Sequence, residues 1–320
     1  MKVLVLGGTG YLGQFVVDHF LNAGDPVLFT HTKEVAPEIT PNGAMCWGVL
    51  PAALRIDLTT EGGLGLLEER ALQMGCGPDV VINCAAISQP RDCESDRDRA
   101  FAVNVPSRVT TWLTQRAAVD GRRPPLFIHL STDQTYEGNK PFWHEDDPTN
   151  PVNTYGESKV AAERHLQESY PNHAILRSSI IYGPQPPLMP VGRTLPLAWM
   201  DGVLSSGQET SFFEDEFRNP VYVGDVVAAI AKLAESAEQD YPYPHRVFNL
   251  GGPERLSRVD MALAVARERG YSEQLVKPVP AASVSRGVVS PADISMNVER
   301  IQQELGISLT PFVTGVQKSF

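Results

Sequence analysis

A glycine-rich turn stands between a strand-like run and a helix-like run at the very start of the chain. Lys2–Leu6 is a β-branched and aliphatic segment typical of a strand that is buried on both faces. Apolar side chains at positions 12, 15, 16 and 20 then recur at helical spacing, and Gly24 stands where such a helix would end. Residues 7–13, GGTGYLG, are the turn between the two runs.

This turn fits both G-x-G-x-x-G and G-x-x-G-x-x-G. Between a strand and a helix, such glycines permit a tight turn, let backbone N–H groups approach a pyrophosphate and let helix and strand pack closely. The anion would lie against the positive end of the helix dipole. The start of the chain therefore predicts a dinucleotide-binding fold.

Short apolar runs and helix-spaced segments continue to alternate through the first half. Strands are predicted at Val27–Thr30, Leu54–Ile56, Val80–Asn83, Leu126–Leu130 and Ala174–Ile181, and helices over Leu64–Met74, about Arg97–Ala118, and Tyr155 to about Glu168. Such alternation implies parallel strands joined by right-handed crossovers. We therefore predict an α/β fold, a Rossmann-type doubly wound parallel sheet, over residues 1–182.

The pattern changes after Tyr182. Four prolines, at positions 184, 186, 187 and 190, crowd a stretch that neither a helix nor a central strand would tolerate. Shorter mixed elements follow, and Ser257 with Asp260 is typical of a capping box at a helix start. We expect residues 183–320 to form a smaller C-terminal substrate-binding lobe, interleaved with the last elements of the Rossmann fold.

Composition limits the partners. The 320 residues carry 27 basic and 38 acidic side chains and a formal net charge of −11, which argues against nucleic acid or an anionic membrane surface as a partner. No apolar run approaches the ~18–20 residues of a membrane span. The four cysteines show neither a C-x-x-C pair nor a histidine at zinc-site spacing, so we expect free thiols and no metal site. Because strand-like sequence begins at Lys2, a signal peptide has no room, and a cytoplasmic protein is expected unless a presequence was removed.

The end of the second predicted strand bears on the choice of dinucleotide. NAD-selective folds usually have an acidic residue there, which binds the ribose hydroxyls. Here nothing acidic occurs before Glu34, while His31 and Lys33 could pair with a 2′-phosphate that a carboxylate would repel. The pattern favours NADP over NAD; the alternative is that Lys33 is only a solvated surface lysine.

Tyr155 and Lys159 are four residues apart on a predicted helix, so both side chains lie on one face. A tyrosine has a pKa near 10, and a neighbouring ammonium would favour its phenolate, which suits proton transfer to a carbonyl. Ser131-Thr132-Asp133 follows the fifth predicted strand and Asn83-Cys84-Ala85-Ala86 ends the fourth, at the sheet edge where doubly wound folds bind ligands. Thr132 could donate a hydrogen bond to the same substrate oxygen.

Taken in this order and spacing, the motifs resemble the extended short-chain dehydrogenase/reductase superfamily over nearly the whole chain. The resemblance implies that Tyr155 is the acid/base, that Lys159 lowers its pKa and binds the nicotinamide ribose, and that Thr132 orients the carbonyl. It further implies a cofactor site formed, besides these residues and the cations named above, by Gly7, Gly10, Tyr11, Leu12, Gly13, Asp57, Leu58, Cys84, Ala85, Ala86, Asn104 and Ser131.

Residues 131–138, STDQTYEG, narrow the choice within the superfamily. Nucleotide-sugar 4,6-dehydratases have a glutamate directly after the aspartate, whereas Gln134 cannot transfer a proton; sugar 4-epimerases lack the Thr-Asp pair. The pattern is most similar to dTDP-4-dehydrorhamnose reductases and their relatives, a group that includes the regulatory β subunit of methionine adenosyltransferase. Gln134 departs from the aromatic residue usual in these reductases, Thr135 from a valine, and Ser290 from an arginine before Pro291.

The resemblance leaves two functions open. The first is an NADPH-dependent reductase of a keto group on a nucleotide-linked sugar, with Asp133, Gln134 and Arg218 in the substrate site; a salt bridge from Arg218 to Glu214 or Asp215 is the structural alternative. The second is an NADP-binding regulatory subunit whose partner is a methionine adenosyltransferase catalytic subunit. The β subunit continues past the match to Thr310-Pro311-Phe312 with a docking tail, whereas this sequence stops at Phe320, which weighs against the second reading. A homodimer is compatible with either function.

Overall fold

The computed structural model describes residues 1–32, 53–73, 77–192, 195–237 and 241–320. In these ranges the strands are β1 (Val3–Leu6), β2 (Val27–His31), β3 (Ala53–Arg55), β4 (Val80–Asn83), β5 (Leu126–Thr132), β6 (His173–Ser178), β7 (Ile181–Tyr182), β8 (Thr210–Phe213), β9 (Phe217–Arg218), β10 (Val221–Tyr222), β11 (Val247–Leu250), β12 (Leu256–Ser257) and β13 (Val276–Val279). The helices are α1 (Tyr11–Asn22), α2 (Glu61–Gln73), α3 (Pro90–Ser95), α4 (Arg97–Asn104), α5 (Ser107–Val119), α6 (Thr154–Ser169), α7 (Pro196–Ser205), α8 (Val223–Ala234), α9 (Arg258–Arg269), α10 (Glu299–Leu305) and α11 (Phe312–Gln317).

Seven strands form one parallel sheet in the order β11-β6-β5-β4-β1-β2-β3. The chain moves outward from β1 to β3 on one side and from β4 to β11 on the other, so the strand order reverses between β1 and β4. A ligand crevice forms at such a reversal, at the carboxyl ends of the strands. The Rossmann-type α/β fold predicted from the sequence is confirmed.

Both faces of the sheet are covered. Val3 and Val5 of β1 pack into a core with α1 and α8, while Leu4 and Leu6 pack on the opposite face with residues of α2, α5 and α6. Successive side chains of a strand point to opposite faces, so a strand covered on both sides reads as a continuous apolar run. This explains why Lys2–Leu6 carries no polar alternation.

The prediction of one long helix over Arg97–Ala118 is wrong. The segment folds as α4 and α5, preceded by α3, and the break falls at Val105, which is extended at φ −91° and ψ 112°. Pro106 follows, and the ring of a proline disfavours helical geometry in the residue before it. Asp96 separates α3 from α4, and its side chain accepts a hydrogen bond from the Arg99 N–H.

The strand predicted at Ala174–Ile181 is also two elements. The β6 strand ends at Ser178, and β7 pairs with β10 instead of continuing in the central sheet. The chain leaves the sheet at Ser179, whose hydroxyl donates to Asp133 Oδ2 at 2.9 Å. This contact joins residues 46 positions apart, which local patterning does not reveal.

The C-terminal part has a core of its own, built mainly from α7, α9 and α11 with Tyr182 and Phe212. The capping box predicted at Ser257 is present: its side chain accepts from the Asp260 N–H, and the Asp260 carboxylate accepts from the Ser257 N–H. Within the described ranges, no helix combines the length and the apolar character needed to cross a membrane.

Candidate functional site

The glycine turn leaves no room for side chains. Gly7 has a φ of +76°, and a Cβ built on it would lie 2.9 Å from the backbone N of Ala85. A Cβ on Gly13 would lie 2.3 Å from the Gly7 carbonyl oxygen. Helix α1 begins directly after Gly10, which has no side chain to cap it, and its first turn carries no acidic residue. The turn therefore has the shape and the free helix start of an anion cradle.

Tyr11 and Leu12 are buried beneath this cradle, and Tyr11 Oη donates to the Pro184 carbonyl at 3.1 Å. Burial raises the pKa of the Tyr11 phenol, so it stays neutral. The fully buried Gln14, which the sequence interpretation missed, makes a second link: its Nε2 donates to Thr9 O at 3.1 Å. Its Oε1 accepts from the N–H groups of Leu188 and Met189 at 3.1 and 2.8 Å, which holds the proline-rich segment against the cradle. In the sequence, the available signal for Gln14 was that a polar residue follows Gly13 directly.

The opposite end of the cleft lies at β2 and β3. His31 is buried at the end of β2 and stands in register with the exposed Arg55 of β3. Lys33, the other predicted phosphate partner, lies outside the described residues. Arg55 was not singled out from the sequence, although a cation at the end of the third strand was the available signal.

Asp57 and Leu58 follow β3. The Asp57 Oδ1 atom accepts from the N–H and the hydroxyl of Thr59 at 2.9 and 2.7 Å, and these hydrogen bonds lower the pKa of the carboxyl. Leu58 packs against the core on the α2 side of the sheet. Both residues therefore belong to a well-defined turn that leads into α2.

Cys84, Ala85 and Ala86 are half-buried at the carboxyl end of β4, next to the glycine turn. Asn83 Oδ1 accepts from the Ala85 N–H at 3.1 Å, which sets the course of this loop. Burial raises the pKa of the Cys84 thiol to about 12, so it is neutral. Cys84 and Cys93 are both free, whereas Cys46 and Cys76 lie outside the described residues.

Asn104 is fully buried and clamps the loop after β4 to helix α6. Its Oδ1 accepts from the Ile87 N–H at 2.8 Å, and its Nδ2 donates to the Ile87 carbonyl at 3.1 Å and to Ser158 Oγ at 2.8 Å. Both polar atoms of the Asn104 amide have hydrogen-bond partners within the protein. This side chain therefore fixes the position of the loop after β4 relative to α6.

The start of α6 is fixed by contacts from three segments. Asn153 caps the helix by accepting from the Gly156 N–H at 2.9 Å, and Glu94 of α3 accepts from the N–H and the hydroxyl of Thr154, each at 2.8 Å. A Cβ on Gly156 would lie 2.3 Å from the Gln134 carbonyl oxygen. The first turn of α6 thus packs directly on the short 3-10 turn Asp133–Thr135.

Tyr155 and Lys159 stand on this helix as predicted. Tyr155 is 9% exposed, and its ring packs among Ile87, Cys93 and Ala100. Lys159 is 1% exposed; its Nζ donates to the Leu130 carbonyl at 2.5 Å and lies 3.2 Å from His129 Nε2. Burial lowers the pKa of Lys159 to about 8, against the opposing effect of Glu163.

His129 was not predicted as part of the site. It is fully buried in β5, and burial and the charge of Lys159 hold its pKa well below the usual value. A lone polar residue inside the apolar run LFIHL of residues 126–130 was the available signal.

The end of β5 carries the predicted serine, threonine and aspartate, all buried. Ser131 Oγ donates to Glu163 Oε1, which turns Ser131 toward the protein interior. Thr132 Oγ1 donates to Asp133 Oδ1 at 3.1 Å and accepts from the Gln134 N–H at 3.3 Å. Burial raises the pKa of Asp133, and the charge of Arg218 partly offsets this effect.

The predicted substrate residues Gln134 and Arg218 have partners within the protein. Gln134 Oε1 accepts from Asn153 Nδ2 at 2.9 Å. Arg218 is 3% exposed and donates to the carbonyls of Phe217 and Pro291 at 2.7 and 2.9 Å, with longer bonds to Ala292 O and Ser290 Oγ, each at 3.3 Å. In the described part of the chain these bonds replace the salt bridge to Glu214 or Asp215 considered from the sequence.

Two further arginines that the sequence interpretation missed extend this region. Arg286 pairs with the buried Glu216 at 2.5 Å. Burial and the neighbouring charge of Arg218 lower the pKa of Arg258 to about 10, which still leaves it charged at neutral pH. Glu216, Arg286 and Ser290 line a cavity of about 280 Å³. We refer to Arg218, Arg258 and Arg286 as the arginine cluster.

A buried ion pair joins α6 to β6. Arg177 Nη2 lies 2.7 Å from Glu163 Oε2, and Arg177 Nη1 donates to Tyr136 Oη at 2.9 Å, which in turn donates to Asn249 Oδ1 at 2.7 Å. Burial opposes the charge of Arg177, but Glu163 and Tyr136 more than offset it, so its pKa is raised. Because Glu163 also binds Ser131, the network supports the end of β5 from behind.

The chain as a whole, residues 1–320, matches the family model of the RmlD substrate binding domain. The chain belongs to this family. Among known proteins it is similar to methionine adenosyltransferase 2 subunit beta of Danio rerio, with 26% identity over 320 residues that cover 99% of this chain and 90% of that protein. It is also similar to the probable low-salt glycan biosynthesis reductase Agl14 of Haloferax volcanii, with 27% identity over 314 residues that cover 96% and 93%.

Solved structures with the same fold include dTDP-4-dehydrorhamnose reductase of Bacillus anthracis in complex with NADP, with a TM-score of 0.73, 19% identity and coverage of 99% of this chain and 97% of that chain. Another is the enzyme WbmG of Bordetella bronchiseptica in complex with NAD and UDP, with a TM-score of 0.76, 23% identity and coverage of 100% and 93%. These likenesses establish the fold of this member of the RmlD substrate binding domain family.

Proposed function

We propose that the protein is an NADPH-dependent reductase of a keto group on a nucleotide-linked sugar. The observation that carries this proposal is the close approach of Gly156 to Gln134, which packs the first turn of α6, where Tyr155 lies, on the 3-10 turn that directly follows Thr132. Family membership supports the same chemistry, since relatives and neighbours include a probable glycan biosynthesis reductase and dTDP-4-dehydrorhamnose reductases.

The glycine turn fits a dinucleotide, because a Cβ on Gly7 would collide with Ala85 and one on Gly13 with the Gly7 carbonyl oxygen, so only glycines allow the tight turn that leads into the start of α1. Gly7, Gly10 and Gly13, with the first turn of α1, would hold the pyrophosphate; Ala85 and Ala86 would line the nicotinamide side. A bound dihydronicotinamide supplies the hydride that the reduction requires. The other residues of the cofactor site predicted from the sequence are Tyr11, Leu12, Asp57, Leu58, Cys84, Asn104 and Ser131.

The protein's own residues supply the proton and the orientation. The Tyr155 hydroxyl gives its proton to the carbonyl oxygen as the carbon accepts hydride, so the keto group becomes an alcohol and Tyr155 becomes a phenolate that solvent reprotonates. Thr132 donates a hydrogen bond to the same oxygen once its hydroxyl turns away from Asp133 Oδ1. Lys159, as an ammonium, stabilises the phenolate by its charge.

For the cofactor we propose NADP in preference to NAD. His31 and Arg55 lie in register at the end of β2 and β3, where a 2′-phosphate would sit, and Lys33 follows two residues after His31. A phosphate is favoured by such cations, whereas NAD-selective sites use a carboxylate. Neighbouring structures contain either NADP or NAD, so the choice depends on these residues.

For the substrate we propose a nucleotide-linked sugar bound by residues 183–320, with residues 1–182 holding the cofactor. The arginine cluster supports this division. Its three guanidinium groups and Arg255 face three carboxylates, those of Asp133, Glu216 and Asp293, and so leave a net positive charge that suits a diphosphate. Asp133 and Gln134 would contact or position the sugar end, whereas Arg218 would bind the diphosphate with the other two arginines of the cluster. We place the enzyme in the cytoplasm, where the free thiols of Cys84 and Cys93 stay reduced.

The test is oxidation of NADPH by the purified protein with dTDP-4-dehydrorhamnose and with other nucleotide-linked keto sugars. Tyr155→Phe should lower kcat by at least about 100-fold while leaving NADPH binding within about threefold. If no such sugar supports NADPH oxidation, or if Tyr155→Phe is as active as the wild type, the proposal is wrong.

A second function is supported by the likeness to methionine adenosyltransferase 2 subunit beta, which spans 99% of this chain. In that case the chain would bind NADP and regulate a methionine adenosyltransferase catalytic subunit. Co-purification of the two proteins tests it, and the absence of a complex at micromolar concentrations would contradict it.

A further inference from the structure

A hydrogen-bonded chain of three side chains links the neighbouring strands β4 and β5 to helix α6. Asn83 at the end of β4 stands in register with His129 of β5, and Asn83 Nδ2 lies 3.1 Å from His129 Nδ1. On the other side of the ring, His129 Nε2 lies 3.2 Å from Lys159 Nζ. All three side chains are buried, so no water offers an alternative partner at low cost.

The orientation of the Asn83 amide is determined by its second contact. Its Oδ1 accepts from the Ala85 N–H at 3.1 Å, so the group that faces His129 is the NH₂ donor. The Nδ1 atom of His129 must then be the acceptor, which leaves the ring proton of a neutral imidazole on Nε2. That proton points at Lys159.

An ammonium at Lys159 conflicts with this arrangement. An ammonium has three N–H donors and no lone pair, so it cannot accept a hydrogen bond. The Nε2–H of His129 and the ammonium of Lys159 would therefore face each other as two donors. A neutral amine resolves the conflict, because it donates to the Leu130 carbonyl and accepts from Nε2–H. To accept from an ammonium, His129 would have to carry its proton on Nδ1, and Nδ1–H would then face the Asn83 NH₂.

We propose that Lys159 and His129 are coupled through one proton, so that charging Lys159 moves the ring proton of His129 from Nε2 to Nδ1 and breaks the bond from Asn83. His129 is thus a positioning residue that opposes the charged form of Lys159. The coupling itself does not depend on the proposed function. Its consequence does: in the proposed reductase, the ammonium needed beside Tyr155 is lost at mildly alkaline pH.

Other charged or titratable groups face this pair from the surrounding elements. Glu163 of α6 favours the ammonium, as do the thiols of Cys84 after β4 and Cys93 in α3 when ionised, whereas burial opposes it. His173 of β6 acts on His129 and further disfavours its protonation. The low pKa of Lys159, about 8, agrees with the coupling, and a second proton on His129 is strongly disfavoured by burial.

The experiment follows both groups by NMR in the wild-type protein without ligands. Lysine labelled with ¹³C at Cε reports the charge of Lys159, with its signal assigned by its loss in Lys159→Met; the sequence has seven lysines, which keeps the spectrum simple. Histidine labelled with ¹⁵N reports which ring nitrogen of His129 carries the proton. We expect both signals to change at one common pH near 8, with Nε2–H above it and Nδ1–H below it.

A variant tests the role of Asn83. In Asn83→Asp the carboxylate still accepts from the Ala85 N–H and now also accepts from Nδ1–H, so His129 should stay in the Nδ1–H form at every pH. The half-titration of Lys159 should rise by at least about one pH unit. Asn22→Asp is the control for added charge: it places a carboxylate at the exposed carboxyl end of α1 and should change neither signal.

The coupling is refuted if the wild-type His129 keeps one protonation form while Lys159 titrates, or if Lys159 titrates near 10.4, the value of a free lysine. The wild-type measurement decides this even if Asn83→Asp does not fold. Since no substrate is present, a negative result leaves the proposed reductase intact, and an inactive reductase leaves the coupling intact.

Discussion

A Cβ on Gly156 would lie 2.3 Å from the carbonyl oxygen of Gln134, a distance that no packed side chain tolerates. Gly156 is the second residue after the helix begins at Thr154, and Gln134 is the second after Thr132. This contact thus sets the separation between the turn that follows Thr132 and the helix that carries Tyr155.

Gly156→Ala should therefore push the start of α6 away from the turn. Misplacing a catalytic group by about 1 Å costs roughly 100-fold in rate, so we expect kcat to fall by about that factor while NADPH affinity changes little. Steady-state kinetics and NADPH titration measure the two effects. Gly202→Ala in α7, where nothing lies within 4 Å, is the control and should keep wild-type kcat; an unchanged kcat in Gly156→Ala would contradict the role of the contact.

The glycine turn gives a second prediction. Gly13→Ala places a Cβ 2.3 Å from the Gly7 carbonyl oxygen, so α1 must move away from the turn and the anion cradle opens. We expect the Kd for NADPH to rise at least about tenfold and the free energy of unfolding to fall by about 1–3 kcal/mol. Gly65→Ala, on an open face of α2, should leave the Kd for NADPH unchanged and raise the free energy of unfolding by about 0.4–1 kcal/mol, because alanine restricts the unfolded chain more than glycine does. Isothermal titration calorimetry and urea denaturation provide the measurements.

The buried pair of Glu163 and Arg177 gives a third prediction. Glu163→Gln leaves the Arg177 guanidinium buried without its counter-charge, so we expect the free energy of unfolding to fall by about 3–5 kcal/mol in urea denaturation. The matching control is Glu273→Gln, which removes an exposed partner of Arg267 and should leave the midpoint of urea denaturation nearly unchanged. Equal losses in the two variants would contradict the importance of burial.

The pH dependence of stability tests the state of Lys159. Its pKa is about 8 in the folded protein and about 10.4 in the unfolded chain, so between these values the unfolded chain binds more protons at this residue, and the contribution of Lys159 to the free energy of unfolding rises with pH. Below pH 8 both states are protonated and the full penalty, about 3 kcal/mol, applies. Lys159→Met should remove this rise between pH 8 and 10.4. Lys232→Met, at an exposed salt bridge, should retain it.

Cofactor choice gives the fifth prediction. Arg55→Glu puts a carboxylate opposite His31 at the end of the sheet, where it would repel a 2′-phosphate but not a ribose hydroxyl. We expect the Kd for NADPH to rise at least about tenfold and the Kd for NADH to stay within about twofold. Arg164→Glu, an exposed arginine on α6, serves as the control for net charge. An equal increase in Kd for both cofactors would show that Arg55 does not bind the 2′-phosphate.

Features that depend on spacing within a turn or two could be predicted from the sequence. The glycine turn between β1 and α1, the pair Tyr155 and Lys159 on one face of α6, and the capping box at Ser257 are of this kind. Local periodicity gave one wrong prediction. Apolar spacing across residues 97–118 predicted one helix, whereas the structure has two, because Pro106 ends the first.

The tertiary structure decided the contacts between distant positions. Gln14 reaches Met189, Arg177 reaches Glu163, and Arg218 donates to carbonyls more than 70 residues away; none of these partners can be read from composition or spacing. The same holds for His129, which is one polar residue in an apolar strand until Asn83 and Lys159 are placed on either side of its ring. The sequence by itself therefore determined the Rossmann-type fold and the positions of the candidate reactive residues, because both follow from local geometry. The proton states and partners of those residues were decided by burial and by parallel crossovers, which join strand ends that lie far apart in the chain.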